Sequence, residues 1–215
     1  MVSSGSGSGS GSASAPMRIL FVCTGNICRS PMGQAMLTAR FRADLGDDAS
    51  RLVEVTSAGT YGLVGHPIEP DALAVLGELG VAADEFAARE LSRDIAEAQD
   101  LVLTATREHR AAAVSMLPRA SRWTFTIREF ARLVEAVDVA ELLTRLDDDA
   151  PAVRGRALVD AAASQRGYVR PASPSDDDVA DPYRRPIDAF RIAAQQIDTS
   201  TRLIADRLVQ VLRAG

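Results

Sequence analysis

The sequence predicts an α/β fold built on a parallel sheet. A continuous apolar run at residues 19–22 is typical of a strand that is buried on both faces. Three more short apolar segments follow, at residues 53–56, 101–103 and 123–127, and helical patterns separate each segment from the next. Strands that alternate with helices are joined by right-handed crossovers. We therefore expect a four-stranded parallel sheet with helices on both faces.

The first helix follows a polar loop at residues 23–30. Pro31 suits the first position of a helix, and Ser30 is placed to cap that helix with its hydroxyl. The face predicted to be buried carries small and flexible apolar residues: Met32, Ala35, Met36 and Ala39.

Later helices have recognisable ends or stripes. Pro70 opens a helix that Gly80 ends, and Leu73, Leu76 and Leu79 are its predicted buried residues. Residues 107–117 predict a third helix. The C-terminal helix is the clearest, because one apolar stripe runs along it with Thr201 as its only polar member: Ile187, Phe190, Ala194, Ile197, Ile204, Leu208 and Val211.

Composition excludes several classes of protein. The net charge of −5 argues against a protein that binds nucleic acid by neutralising phosphates, and no apolar run is long enough for a membrane helix. Two cysteines exclude a disulfide scaffold and favour a reducing cytoplasm. The two histidines do not predict a metal site. We expect His66 near the rim of the predicted ligand-binding cleft and His109 on the surface of a helix.

The chain is predicted to hold one domain, at residues 17–215. Residues 1–16 are almost pure Gly, Ser and Ala and predict a flexible linker, either natural or engineered. Residues 131–180 fit the strand and helix alternation poorly, so we interpret them as an insert. They contain two helical patterns and two acidic triplets, 147–149 and 176–178, which we expect to be solvated turns. The insert could shape substrate access, bind a partner or be a solvated decoration.

The chemistry concentrates in the loop after the first strand. Ligands of an open parallel sheet bind beyond the carboxyl ends of its strands, where this loop lies. A loop that leads into a helix offers backbone N–H groups and the positive end of the helix dipole to an oxyanion. Gly25 and Asn26 readily adopt the left-handed backbone that a curled loop requires. Arg29 can hold two phosphate oxygens at once.

The same loop contains a candidate nucleophile. Nearby N–H donors and the Arg29 guanidinium would favour the thiolate of Cys23 at neutral pH. Ser30 is placed to hydrogen-bond the sulfur when it leaves a thiophosphate intermediate. A bare Cys-x5-Arg pattern is weak evidence for a phosphate site. In this chain, however, a predicted buried strand precedes the pattern and Ser-Pro opens a helix after it. The loop therefore predicts a thiolate and an arginine acting on one phosphorus atom.

At this point the sequence resembles a known family. Cys23 to Pro31 is similar to the Cys-x-Gly-Asn-x-Cys-Arg-Ser-Pro phosphate-binding loop of the low-molecular-weight protein tyrosine phosphatases. Three further blocks match in the right order: 57–60, 65–70 and the Asp-Pro-Tyr at 181–183. The resemblance covers Met17 to about Phe130 and Asp181 to the end. It implies a four-stranded parallel sheet and hydrolysis of phosphomonoesters without a metal or other cofactor.

The resemblance also implies a role for each matching residue. Cys23 would be the nucleophile, Arg29 the phosphoryl ligand and Asp181 the general acid, while Ser30 would assist the thiolate. The rest of the loop would bind phosphate or support it: Thr24, Gly25, Asn26, Ile27 and Cys28. The implied partner is a tyrosine-phosphorylated protein, such as a bacterial tyrosine kinase of polysaccharide export.

Asp181 and the substrate slot can also be argued from the residues alone. A general acid must keep its proton near neutral pH, which partial burial beside an aromatic ring favours. Tyr183 could supply that ring and stack on an aryl substrate, and Pro182 would fix the approach of the loop. Asp-Pro is, however, also a common turn former. Tyr61 or Leu63 is expected to take the place of the slot-lining Trp of the family.

The sequence departs from the family at three places. A His that often braces the loop asparagine is replaced by Phe86, so the brace is missing or differently supplied. The loop after Thr60 is one residue short. Residues 131–180 are longer than the usual link to the acid loop. Cys28 adds an open question, because it could form a protective disulfide with Cys23 under oxidation.

Several functions compete. A tyrosine phosphatase is favoured by the resemblance, which also implies that an aliphatic residue before the second cysteine, here Ile27, goes with tyrosine and a small polar one with arginine. A protein arginine phosphatase shares the loop and is the alternative, whereas a thiol-relay arsenate reductase would need more cysteines than the chain has. A phosphoprotein-binding module with little turnover is the alternative outside the enzymes. The native substrate and the oligomeric state are left open.

Overall fold

A computed structural model describes residues 15–146 and 150–214 of the chain. Their four strands form one parallel sheet in the order β2-β1-β3-β4, so the predicted fold class is confirmed. The strands are β1 (Met17–Cys23), β2 (Val53–Gly59), β3 (Leu101–Thr104) and β4 (Thr124–Thr126). The helices are α1 (Arg29–Leu45), α2 (Ala49–Leu52), α3 (Pro70–Glu78), α4 (Arg93–Glu97), α5 (Arg107–Met116), α6 (Ile127–Glu135), α7 (Val139–Leu143), α8 (Pro151–Ser164) and α9 (Ile187–Arg213).

Strand β1 is central and divides the core into two parts. Ile19 and Phe21 point into the larger part, which α1, α3, α6, α8 and α9 complete. Leu20 and Val22 alternate with them and point into a smaller part with side chains of α4 and α5. Because side chains of a strand alternate between faces, a strand covered on both sides must be apolar at every position. This explains the continuous apolar run at 19–22.

The order of the strands places one loop at a switch point. From β1 the chain crosses to β2 on one side and later returns to β3 on the other side. The connections therefore leave a crevice at the carboxyl end of β1, where ligands of such sheets bind. Cys23 is the last residue of β1 and pairs in register with Gly59, the last residue of β2.

Helix α1 begins two residues before the predicted start. It runs from Arg29, and no side chain caps its first turn, so the prediction that Ser30 caps the helix is wrong. The Ser30 hydroxyl is instead buried among the side chains of the loop. Gly33 allows the helix to lie against the sheet, since a Cβ there would come within 2.4 Å of the Phe21 ring. The buried face comprises Met32, Met36, Leu37 and Phe41, whereas Ala35 and Ala39 are partly exposed.

Helix α3 buries a different stripe from the one predicted. Leu76 is buried, but Leu73 and Leu79 are 43% and 47% exposed. The residues that share its buried face are Ala72 and Val75. Residues that recur at every third position drift around a helix of 3.6 residues per turn, whereas residues at positions i, i+3 and i+4 stay on one side of it. Gly80 follows the helix with a positive φ of 70°, as its predicted stop requires.

Residues beyond 131 build part of the core. Helix α6 runs across residue 131, and α8 packs against both α6 and α9. Leu133, Leu158 and Val159 are buried in the larger part of the core. The interpretation as a solvated decoration is therefore wrong for the described residues. The triplet at 147–149 lies outside them, and the assignment of 131–180 as an insert stays a prediction.

Helix α9 has the predicted apolar stripe. The stripe is buried from Phe190 to Val211, while Ile187 at its start is only partly buried. Thr201 is buried with it and donates its hydroxyl to the Asp198 carbonyl. Within residues 15–146 and 150–214, no helix has the length and apolar content needed to cross a membrane. The predicted linker at 1–16 lies almost wholly outside the described residues.

Candidate active site

The loop at residues 24–28 is held from outside by the segment that follows β2. Backbone N–H groups of Thr60, Tyr61 and Leu63 donate to the carbonyls of Cys23, Thr24 and Gly25 at 2.9–3.0 Å. Farther along, the Glu69 N–H donates to the Ile27 carbonyl at 2.9 Å. Four carbonyls of the strand end and loop are thereby turned towards residues 60–69.

The N–H groups of the same loop remain available. Within the part of the chain that the structure describes, the N–H groups of residues 25–28 donate to no protein acceptor. A curled loop with bonded carbonyls and unbonded N–H groups is an anion-binding cradle. Gly59 lets β2 approach this cradle, because a Cβ there would lie 2.3 Å from the Thr24 carbonyl oxygen.

The sulfur of Cys23 lies at the start of the cradle and has a hydroxyl partner. Its Sγ is 3.0 Å from the Ser30 Oγ, and both side chains are buried. The Ser30 Oγ also accepts a hydrogen bond from the Asn26 Nδ2 at 2.9 Å. Because the amide N–H can only donate, the Ser30 hydroxyl keeps its own proton for the sulfur.

Asn26 is braced by three residues beyond its own turn of the loop: Ser30, Ser57 and Arg89. Its Nδ2 also donates to the Ser57 Oγ at 2.8 Å, and its Oδ1 accepts the Arg89 backbone N–H at 2.9 Å. These bonds supply the brace that Phe86 cannot provide. Asn26 alone in the loop has a positive φ, of 57°, so the expectation that Gly25 uses the left-handed region is wrong.

Arg29 lies in the first turn of α1 and joins the cradle to Asp181. Its side chain is 6% exposed, its Nη2 is 3.0 Å from the Asp181 Oδ1, and its Nη1 donates to the Val179 carbonyl at 3.3 Å. Its buried Nε has no partner within the described residues. An unpaired buried donor is costly unless a ligand accepts from it. The guanidinium is thus held in place with its Nε donor left for a ligand.

The loop that carries Asp181 is anchored at several points. The Val179 N–H donates to the Ala105 carbonyl at 2.8 Å, and the Ala180 N–H donates to the Gln196 side chain at 2.9 Å. Asp178 accepts from the backbone N–H and the guanidinium of Arg107. The acidic triplet at 176–178, expected to be a solvated turn, therefore supplies an anchor.

The environment of Asp181 differs from the expected one. Its side chain is 54% exposed and forms an ion pair with Arg29, instead of lying partly buried against an aromatic ring. Its Oδ1 accepts the Tyr183 N–H at 3.3 Å, so Asp181 closes its own turn. Arg184 follows with a φ of 59° and stacks on the Tyr183 ring.

A cavity of about 230 Å³ opens above Cys23 and Arg29. The side chains of Tyr61, Leu63 and Tyr183 line its mouth. Tyr61 is 76% exposed and Tyr183 is 43% exposed. The two predicted slot residues thus lie on the same cavity as the cradle, and Leu63 joins them. The structure brings together every residue of the predicted site. His66 is exposed and is absent from the lining.

The comparisons with known proteins agree with this geometry. The sequence profile described as low molecular weight phosphotyrosine protein phosphatase matches residues 18–155, which is more than half of the chain. The chain belongs to this family. Its members are cysteine-dependent phosphatases. The low-molecular-weight phosphatase Etp of Escherichia coli K12 is 36% identical over 120 residues, which is 56% of this chain and 75% of Etp.

Other relatives of the family carry a different substrate in their names. A protein-arginine-phosphatase of Geobacillus stearothermophilus is 28% identical over 193 residues, or 90% of this chain and 97% of the relative. The solved arginine phosphatase YwlE of that organism superposes with a TM-score of 0.61, covering 90% and 93% of the two chains. The solved low-molecular-weight tyrosine phosphatase of T. tengcongensis superposes with a TM-score of 0.61 at 28% identity, and the match covers 88% of this chain and 98% of that one.

Cys28 differs chemically from the proposed nucleophile of the phosphatase. Burial raises the pKa of its thiol to about 12, and the neighbouring charges of Cys23 and Glu69 add to this effect. It therefore remains a protonated thiol near neutral pH. Both cysteines are free, so the possible disulfide between them stays a prediction.

Sequence reasoning missed His109. The expectation that it lies on a helix surface is wrong, because it is buried with its Nε2 2.8 Å from the Thr24 Oγ1. Its Nδ1 is 2.7 Å from the Thr106 Oγ1. Burial, then the nearby Arg29 charge, lowers the pKa of His109 to about 4. A neutral imidazole thus braces the phosphate loop. The only sequence signal was its position just after β3, at the same edge of the sheet as Cys23.

Proposed function

We propose that this member of the family hydrolyses phosphomonoesters on protein tyrosine through a cysteinyl-phosphate intermediate. The observation that carries the proposal is the Cys23 sulfur, which lies in a cradle of unbonded N–H groups and 3.0 Å from the Ser30 hydroxyl. Such a cradle stabilises charge that develops on phosphoryl oxygens. The loop N–H groups and Arg29 hold those oxygens in the proposed mechanism.

The reaction proceeds in two steps in this proposal. The Cys23 thiolate forms a bond to phosphorus as the bond to the leaving phenol oxygen breaks, and Asp181 gives its proton to that oxygen. Water then attacks phosphorus, Asp181 takes the proton of the water, and the sulfur leaves as a thiolate. The Ser30 hydroxyl donates to the departing sulfur. When the phosphoryl group of a substrate binds to Arg29, it would compete with Asp181 for the guanidinium. The Asp181 carboxyl would thereby be released for these proton transfers.

The shape of the cavity supports an aryl substrate. Tyr61, Leu63 and Tyr183 form apolar walls above a deeply set sulfur, and flat rings stack well between such walls. Ile27 adds an aliphatic wall at the base. A tyrosine-phosphorylated bacterial protein, such as a tyrosine kinase, is the partner that we propose. The thiolate also requires a reducing compartment, for which the cytoplasm is proposed.

Protein arginine phosphatase activity is the second candidate. It is favoured by the arginine phosphatase relative that is 28% identical over 90% of this chain. The same nucleophile and cradle would serve both reactions, so only the residues that line the slot would distinguish a phosphotyrosine substrate from a phosphoarginine substrate. A phosphoprotein-binding module would need neither an acid nor a nucleophile and would retain affinity without turnover.

Hydrolysis of para-nitrophenyl phosphate in the presence of a chelator tests the mechanism. We expect Cys23→Ser to abolish turnover and Asp181→Asn to lower kcat by about 100-fold, because general acid catalysis contributes on that order. Asp206→Asn, an exposed acid on α9 outside the cavity, is the matched control and should retain wild-type kcat. Acid quenching should trap phosphate on the peptide that contains Cys23.

Turnover that survives Cys23→Ser would refute the thiolate mechanism. Peptides that carry phosphotyrosine or phosphoarginine in one sequence decide between the two enzymes, and we expect the phosphotyrosine peptide to have the higher kcat/KM. Phosphopeptide binding without any turnover by the wild type would favour the binding module.

A further inference from the structure

A second cavity adjoins the cradle on the side of α5. Its volume is about 380 Å³, and it shares Thr24, Arg29, Tyr61 and Asp181 with the first cavity. Its outer wall is formed by the start of α5, including Thr106, Glu108 and His109. A ligand anchored by its phosphate in the cradle therefore has this second cavity beside it.

Most of the polar groups in this wall already have partners. The two ring nitrogens of His109 bond the hydroxyls of Thr24 and Thr106, so both are occupied. Burial lowers the pKa of this imidazole to about 4, so it is uncharged near neutral pH. The Thr60 hydroxyl donates to the Cys23 carbonyl at 3.4 Å. Arg29 serves the phosphoryl group and Asp181 the leaving group in the proposed reaction. These residues contribute little net charge to a second ligand group.

Glu108 is different. Its side chain is exposed, and within residues 15–146 and 150–214 it has neither an ion-pair nor a hydrogen-bond partner. Its neighbour Arg107 is already paired with Asp178 at 3.0 Å, so that guanidinium does not neutralise Glu108. Glu108 lies in the first turn of α5. The outer wall of the cavity thus carries one uncompensated negative charge.

We propose that this cavity is a subsite for a basic side chain, Lys or Arg, adjacent to the phosphorylated residue of the substrate, and that Glu108 selects it. The proposal rests on the proposed phosphatase function. A basic head group would meet the carboxylate of Glu108 in a cavity that the Tyr61 side chain also lines. An acidic side chain would meet Glu108 as a like charge, and an apolar one would leave the carboxylate without compensation.

Peptide discrimination tests the subsite. Phosphotyrosine peptides that differ only in one flanking residue, which is Arg, Gln or Glu, are compared by kcat/KM with the wild type. Their Kd values for the Cys23→Ser variant are measured by calorimetry, which does not require turnover. We expect Arg to be preferred over Glu by about two- to fivefold, as exposed ion pairs provide, with a smaller ratio at high salt. The peptide set places the varied residue either before or after the phosphotyrosine. The same measurements therefore show which of the two flanking positions the subsite prefers.

The variant Glu108→Gln should bring the Arg to Glu ratio close to one. The ratio cancels any effect of the substitution on the cradle itself. Glu135→Gln is the matched control, because Glu135 ends α6 and lines neither of the two cavities. It should retain both the ratio and the wild-type rate. A ratio near one in the wild type, or one that persists in Glu108→Gln, overturns the subsite while leaving the phosphatase proposal intact. Failure to bind or hydrolyse any of the peptides overturns both.

Discussion

At the scale of single residues, the site depends on uncharged partners around one charged pair. Asn26, Ser30 and His109 hold the loop with neutral hydrogen bonds, whereas Arg29 provides the positive charge. A charged imidazole would be poorly solvated at this buried position and would also be repelled by Arg29, which is why the pKa of His109 falls. Neutrality of His109 therefore preserves the charge balance of the cradle.

This neutrality predicts a pH dependence of stability. The pKa of His109 is about 4 in the folded protein and near 6.5 when unfolded, so the unfolded chain binds more protons between these values. Stability should therefore fall as the pH falls below about 6.5. Between pH 7 and pH 5 this histidine should account for a loss of about 1–2 kcal/mol in the free energy of unfolding.

Urea unfolding at the two pH values measures this contribution. His109→Gln keeps a donor and an acceptor but cannot titrate, so it should lose less stability than the wild type on acidification. His66→Gln, which replaces an exposed histidine, should follow the wild type. Equal losses in all three proteins would show that His109 is not held neutral.

At the scale of elements, the acid loop is positioned from three sides. Asp178 binds the start of α5, and the Arg128 side chain of α6 donates to the Asp178 carbonyl at 3.1 Å. Gln196 of α9 accepts the Ala180 N–H. Since Asp181 follows within three residues, these anchors fix where its carboxyl can reach. Precise placement of a catalytic group is worth more to the rate than to stability.

Asp178→Ala tests this positioning role. We expect kcat to fall by about tenfold, because small displacements of a catalytic group slow the chemical step. The loss should be greater for phenyl phosphate than for para-nitrophenyl phosphate, because the poorer leaving group needs the proton of Asp181 more. Asp176→Ala is the control, since among the described residues the Asp176 carboxylate bonds only within its own turn. An equal loss for both substrates would indicate a merely structural role.

At the scale of the whole molecule, one core joins the phosphatase loop to the helices beyond residue 131. Leu158 of α8 is fully buried in the same cluster as Phe21 of β1 and Leu208 of α9. Gly155 lets α8 lie against β1, because a Cβ there would come within 2.4 Å of the Met17 sulfur. Arg154 donates to the carbonyls of Val211 and Leu212 and so closes the end of α9. Unfolding of α8 would expose the sheet, so we expect a single cooperative transition.

Leu158→Ala should lower the free energy of unfolding by about 2–5 kcal/mol, the cost of removing a fully buried leucine side chain. The transition should stay single, with the loss of helix and the loss of activity coinciding in denaturant. Leu79→Ala is the matched control at a largely exposed position and should change stability by less than about 1 kcal/mol. A separate early transition in Leu158→Ala would show that the helices beyond 131 form an independent unit.

Local patterns in the sequence predicted those features of the fold and the site that depend on residues close together in the chain. The apolar run at 19–22 gave the central strand, because burial on both faces requires apolar residues at consecutive positions. The loop from Cys23 to Ser30 gave the cradle, since its chemistry lies within eight residues. Errors arose where the spacing alone was ambiguous, as on α3, where a step of three residues pointed to the wrong leucines.

The sequence by itself therefore determined the α/β class with its parallel sheet and the phosphate-binding loop with its cysteine and arginine. The tertiary structure alone decided which distant groups complete the site. Thr24 and His109 are 85 positions apart, and Arg29 and Val179 are 150 apart. It also decided that α8 belongs to the core. Such contacts depend on how elements pack against one another, and no periodicity within a single element encodes that packing.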